Sequence, residues 1–125
     1  MLKYRYHLLM LLVLLVALVT FAWSESIEKI EVLSITTEEL DWHQADNACS
    51  EFTGGWDLPS ITQLVGLFYF NHDTHWKRST DYWSDTLISG RGFGLNTKLG
   101  VLSFDVLSDQ DHFICVRHKD SLASS

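Results

Sequence analysis

The residues best suited to chemistry lie in one polar stretch, Asn71 to Thr80 (NHDTHWKRST). His72, Asp73 and His75 offer the imidazole and carboxylate groups that zinc takes. A closed zinc site wants four ligands in fixed geometry, and this spacing supplies three on a loop. A solvated polar loop therefore explains them without a metal. Trp76, Lys77 and Arg78 follow directly. Tryptophan and arginine concentrate binding energy at interfaces, and an indole ring also stacks on a sugar face. The loop His72–Arg78 is thus expected to carry ligand contacts, with Arg91, a cation between Gly90 and Gly92, as a neighbour. The competing expectation is that Trp76 folds back onto the preceding helix. Asp109 and Asp111, with Asp105 nearby, offer oxygens to calcium, but no glycine-containing twelve-residue loop frames them. They are expected to form a charged turn, and neither metal nor cofactor is expected.

Catalysis finds little support. There is no Gly-x-Ser-x-Gly elbow, and no cysteine is left unpaired to act with a histidine. The chain is not expected to be an enzyme.

The elements that must position these residues are legible in the hydrophobic pattern. Ile27–Ile35 (IEKIEVLSI) mixes β-branched residues with charges and predicts an edge-like strand. Thr36 stands three residues before Glu39, a capping-box spacing that predicts a helix start. Trp42, Ala45, Cys49 and Phe52 then recur on one helical face, and Gly54-Gly55 closes that helix. Ser60 and Gln63 repeat the capping-box spacing before the stripe Ile61, Leu64, Val65 and Phe68. Beyond the polar loop, strands are expected at Tyr82–Leu87, Phe93–Thr97, Val101–Leu107 and His112–Arg117, separated by glycine-rich turns. In the third of these Leu102, Phe104 and Val106 alternate with Ser103 and Asp105, the pattern of a half-buried strand with its apolar side inward. The last strand is apolar on both faces and is expected to be central. Two short helices followed by a small antiparallel sheet make an α+β domain, with Trp42, Trp56 and Trp83 in its core.

The N-terminus is different in kind. Lys3 and Arg5 precede an apolar run, Leu8 to Ala22, and Ala22 and Ser24 place small residues before a possible cut. This is the layout of a secretory signal peptide, residues 1–24. The alternative is an uncleaved anchor, against which the run of roughly 15 residues is short of the ~20 that cross a bilayer. Cleavage would leave residues 25–118 as the domain and 119–125 as a disordered tail. It would also leave seven basic residues against all 16 acidic ones, a net charge of −9. Such a surface repels nucleic acid phosphate. In an oxidising compartment two cysteines, Cys49 and Cys115, most simply form one bridge; two free thiols or a thiolate metal site are the alternative.

The order Trp42-x-x-Ala45…Cys49, then Gly54-Gly55-Trp56-x-Leu58-Pro59-Ser60-x-x-x-Leu64, then Tyr82-Trp83-Ser84-x-Thr86 and Cys115-Val116-Arg117 resembles the Lcl C-terminal domain family. These are small bacterial domains similar to C-type-lectin-like folds, and the likeness covers most of Asp41 to Arg117. It implies a C-type-lectin-like fold, a bridge from first helix to last strand, and a binding or adhesion module without catalytic machinery. Sulfated polysaccharide binding, linked to some members, needs positive charge and is not carried over to this acidic chain. Calcium-dependent sugar binding is not expected either: no Glu-Pro-Asn or Gln-Pro-Asp occurs, and Pro59 is the only proline. Trp83-Ser84-Asp85 looks like the lectin Trp-Asn-Asp only superficially, because its place matches an early core strand.

The expectation is a periplasmic or secreted, calcium-independent module that binds a protein or a glycan outside the cytoplasm through its loops. A small periplasmic inhibitor or immunity protein acting on an exported enzyme is the alternative.

Overall fold

The computed structural model describes residues 2–33, 38–71, 74–77 and 79–119. In chain order it contains α1 (Leu2–Glu28), β1 (Ile30–Leu33), α2 (Trp42–Glu51), α3 (Ile61–Phe70), β2 (Asp81–Ile88), β3 (Arg91–Asn96), β4 (Val101–Val106) and β5 (Cys115–His118). The strands form two antiparallel sheets, β1-β5 and β2-β3-β4. The α+β expectation holds, with the strands divided between two sheets.

Local chemistry explains most boundaries. Ser60 caps α3 as its spacing predicts, accepting from the Gln63 amide while Gln63 reaches back to the Ser60 N–H. For α2 the box that forms is Asp41 with Gln44, and the helix begins at Trp42. The Thr36–Glu39 start is therefore corrected; Thr36 itself lies outside the described residues. The spacing puts Phe52 on the buried face of α2, but it follows the last helical residue in extended geometry and is exposed. The predicted first strand starts later, at Ile30, because Ile27 belongs to α1; at its far end Ser34 and Ile35 lie outside the described residues.

The first half of β5, Cys115 and Val116, is buried without lying inside a large sheet. One edge pairs with β1. On the other, Val116 exchanges backbone bonds with Asp57 at 2.7 and 3.0 Å. The β1–β5 ladder places Glu31 opposite Arg117, and Arg117 Nε donates to Glu31 Oε2 at 2.8 Å.

The core has two parts, and alternation along β2 feeds both. Tyr82 joins Ile27, Ile30, Leu64, Leu67, Leu95, Ile114 and Val116. Trp83 joins Ala45, Cys49, Trp56, Leu58, Phe113 and Cys115. Cys49 on α2 and Cys115 on β5 form the disulfide, with Cα atoms 5.5 Å apart. Trp42 is half-buried, its indole N–H donating to the Ser84 carbonyl at 2.8 Å. Gly94 must be glycine for a steric reason: a Cβ there would run into the Tyr82 carbonyl oxygen.

One expectation is reversed. Leu102, Phe104 and Val106 share a face of β4, and that face is open, at 55, 44 and 38% exposure. Ser103 and Asp105 sit on the more covered side. The reason is β4's place at the edge of its sheet. On the adjoining strand Leu95 is fully buried among α3 side chains, but the cover ends before it reaches β4.

Candidate functional site

The segment between α3 and β2 does not present Trp76 as a free finger. The indole packs edge-on against Phe68 at 5.6 Å and Tyr82 at 4.9 Å between ring centres, and it is half-buried. Its Nε1 is buried without a hydrogen-bond partner among the described residues. The backbone beside it is tied down. Lys77 N–H donates to the Tyr82 hydroxyl at 2.8 Å, and Thr97 Oγ1 donates to the Lys77 carbonyl at 2.7 Å. The turn after β3 thereby holds the loop, and the two together enclose an open cleft.

That cleft, of about 590 Å³, is lined by residues including Phe68, Thr74, His75, Trp76, Thr97 and Lys98. His75 and Lys77 are exposed. His72, Asp73 and Arg78 lie outside the described residues. Arg91 is not a neighbour of this loop. It opens β3, whereas Thr97 follows that strand's other end, so the length of the strand, about 17 Å, separates them. Arg91 instead lies over the Phe104 ring, 5.7 Å from its centre. Thr97 and Lys98 lay outside the expected site, and only the pairing of β2 with β3 brings them to it.

The cleft continues onto an apolar rim. Leu99 and Leu102 follow soon after Lys98 and are exposed, while Val101, also exposed, lies on the opposite face of β4 with Ser103 and Asp105. Phe104 carries the strip on, edged by Phe93 at 4.8 Å. An edge strand leaves a row of backbone N–H and C=O groups unpaired.

A second group of residues was only half anticipated. Asp105 and Asp111 come together as their proximity in sequence suggested, but with Asp81 and not Asp109. Carboxylate oxygens of the three lie within 4.8 Å of one another. Asn96 Nδ2 donates to Asp81 Oδ1 at 2.8 Å, while Asp111 Oδ2 is buried without a hydrogen-bond partner among the described residues. Burial, reinforced by Asp105, Asp81 and Asp109, pushes Asp111 up to about 8. A proton thus relieves the cluster at neutral pH. Next to it, burial lowers His112, against the pull of Glu39, and Thr80 Oγ1 lies 2.9 Å from its Nδ1.

The pH consequence follows by linkage. Asp111 binds its proton more tightly folded than unfolded, so its contribution is present at low pH and lost between about 4 and about 8. His112 acts oppositely, its neutral form stabilising the fold until pH falls below its ordinary 6.5. Asp111→Asn should therefore raise stability at pH 8 by about 1 kcal/mol, a figure discounted for partial solvent screening. It should leave stability at pH 4 nearly unchanged. Thermal melting at the two pH values checks this; equal shifts at both would remove the shared-proton account.

No family model matches this chain, and no curated protein matches it. Among solved structures, botrocetin, a snake venom C-type-lectin-like protein, superposes with a TM-score of 0.50 at 12% identity, over 71% of this chain and 88% of its own. The fold is C-type-lectin-like. EMS16, an antagonist of the collagen receptor integrin α2β1 (GPIa/IIa), superposes with a TM-score of 0.47 at 15% identity, over 72% of this chain and 92% of its own. On this C-type-lectin-like frame the cleft and its apolar rim sit at one end of the three-stranded sheet and along its open edge.

Proposed function

We propose that this chain is a non-catalytic, calcium-independent binding domain, acting outside the cytoplasm, that grips an extended segment of another protein. The observation that carries the reading is the reversed face of β4. An edge strand with Leu102, Phe104 and Val106 turned outward is suited to strand addition, in which backbone bonds give affinity and alternate side chains give specificity. The cleft beside it, with Lys98 and His75 on its wall, would receive polar groups at the end of such a segment. A protein ligand is favoured over a glycan because Trp76 is half-buried and packs with Phe68 and Tyr82, and so is not presented as a free stacking platform for a sugar. The resemblance of the motif order to that of the Lcl C-terminal domain family agrees with the same class of role, a binding module.

Phe104→Asp tests this. Capture from the exported fraction of the native host, followed by affinity measurement with the captured protein, should show about 30-fold weaker binding, the scale of an aromatic hot spot. On binding, hydrogen exchange should slow at the β4 amides that point away from β3. Undiminished affinity of Phe104→Asp, or a captured species that proves to be only a second copy of this chain, would remove the reading.

A basic exported enzyme inhibited by this chain is the second reading. It is favoured by Asp46, Asp57 and Asp85, which line a hollow of about 320 Å³. Arg117, whose Nε donates to Glu31, and His118 line the same hollow, and burial, then Asp57 and Asp46, raises Asp85. An affinity that falls steeply with salt, and is lost in Asp85→Asn while Phe104→Asp is silent, would identify it.

A further inference from the structure

We infer that α1 is never removed, and that it anchors the domain to the membrane while its last turns serve as part of the domain's own core. The expected cut after Ser24 falls inside an unbroken helix that runs to Glu28. Residues on both sides of that point are docked. Ile27 is 3% exposed and belongs to the first core cluster, against which Trp23 also packs. The Trp23 indole N–H donates to the Thr62 carbonyl at 3.1 Å. Its ring meets Phe70 edge-on at 5.3 Å.

The contact point on α3 is built for close approach. Gly66 is buried, and a Cβ there would lie 2.6 Å from Ile27 Cδ1 and 2.7 Å from Trp23 Nε1. Glycine in a helix interior weakens the helix, and here it is what allows α1 to cross α3. Removing residues 1–24 would delete Trp23, take the indole donor from the Thr62 carbonyl and leave Ile27 on a four-residue stub. The notch at Gly66 would then open to water.

The rest of α1 fits a bilayer. The segment Tyr4–Glu28 is long and apolar enough to cross a membrane, and its most apolar stretch has none of its residues buried. The apolar run Leu8 to Ala22 covers about 22 Å of helix, and its interfacial flanks, Tyr4 to His7 and Trp23, bring the span to about 30 Å, the thickness of a bilayer's hydrocarbon core. The apolar run Leu8 to Ala22 falls short only when its flanks are left out. Tyr4 and Tyr6 stand at one end and Trp23 at the other, where interfacial aromatic residues belong. Lys3 and Arg5 mark the first end as the cytoplasmic one. The domain and its disulfide then lie on the oxidising side.

Mass spectrometry and fractionation of the chain from its native host test the anchor. The expected species retains residues 1–24, stays with membranes through an alkaline wash and is released only by detergent. A soluble chain beginning at Glu25 overturns the inference. Gly66→Ala in the detergent-solubilised full chain tests the docking through the sign of its effect. With α1 docked, the added methyl should lower the melting temperature by about 4 °C. Were α1 not seated on α3, alanine's better helix propensity would raise it by a similar amount, and that rise overturns the inference as well.

Discussion

Replacing Cys49 and Cys115 together by alanine is expected to cost about 4 kcal/mol of stability, the loop-entropy value for a bridge of this span. The two sulfurs join residues 66 apart in sequence. Both cysteines are fully buried, in the cluster that holds α2 against β5. Without the bridge the unfolded chain regains the freedom of that whole loop, while the folded state keeps most of its contacts. A domain of this size has roughly 5–15 kcal/mol in total, so the double variant should be partly unfolded at 37 °C. Urea unfolding of the oxidised protein, the reduced protein and the double variant measures the cost. A difference below about 1 kcal/mol would mean that the burial around the sulfurs, and not the covalent link, holds α2 in place.

Trp83→Ala should cost as much, about 3–5 kcal/mol. Trp83 is fully buried, and its N–H donates to the Leu40 carbonyl at 2.8 Å. Its ring also covers Gly92, where a Cβ would lie 2.8 Å from the indole. Truncation thus removes a large apolar surface, leaves the Leu40 carbonyl without that donor, and opens a void between α2 and the three-stranded sheet. Trp83→Phe should recover about half of the loss by refilling the space without the donor. Because Trp83 and the disulfide share one cluster, combining their variants should be non-additive by 0.5 kcal/mol or more. Chemical denaturation of the three variants tests this, and a Trp83→Ala cost below about 1.5 kcal/mol would show that the cluster collapses around the gap.

How far the chain could be read varies with the range of the forces involved. The Ser60 box was legible because cap and partner lie three residues apart. The start of α2 was misread because Thr36–Glu39 and Asp41–Gln44 both have that local spacing, and only docking against the loop before β5, where Trp42 N–H reaches the Leu107 carbonyl at 3.1 Å, selects the second. That Trp76 folds back onto the preceding helix is one of the two readings its sequence allows, and it packs on Phe68 of that helix, but it has no periodic neighbours by which the sequence could choose. Phe68 and Tyr82, which cover it, come from two different elements. Asp81 joins Asp105 and Asp111 through backbone bonds that lay the segment before β5 alongside β2, including His112 N–H to the Asp81 carbonyl at 3.0 Å.

By itself the amino-acid order determined the apolar N-terminal helix, the second amphipathic helix with its cap, the turn positions between the strands and the pairing of the two cysteines. Each of these rests on steric or hydrogen-bonding preferences within a few residues, or on there being a single partner. Tertiary structure alone decided which face of β4 meets water, that Lys98 lies beside His75, and that α1 continues into the core at Gly66. Alternation names the two faces of a strand without saying which is covered. That depends on what packs alongside, and here α3 stops short of the edge.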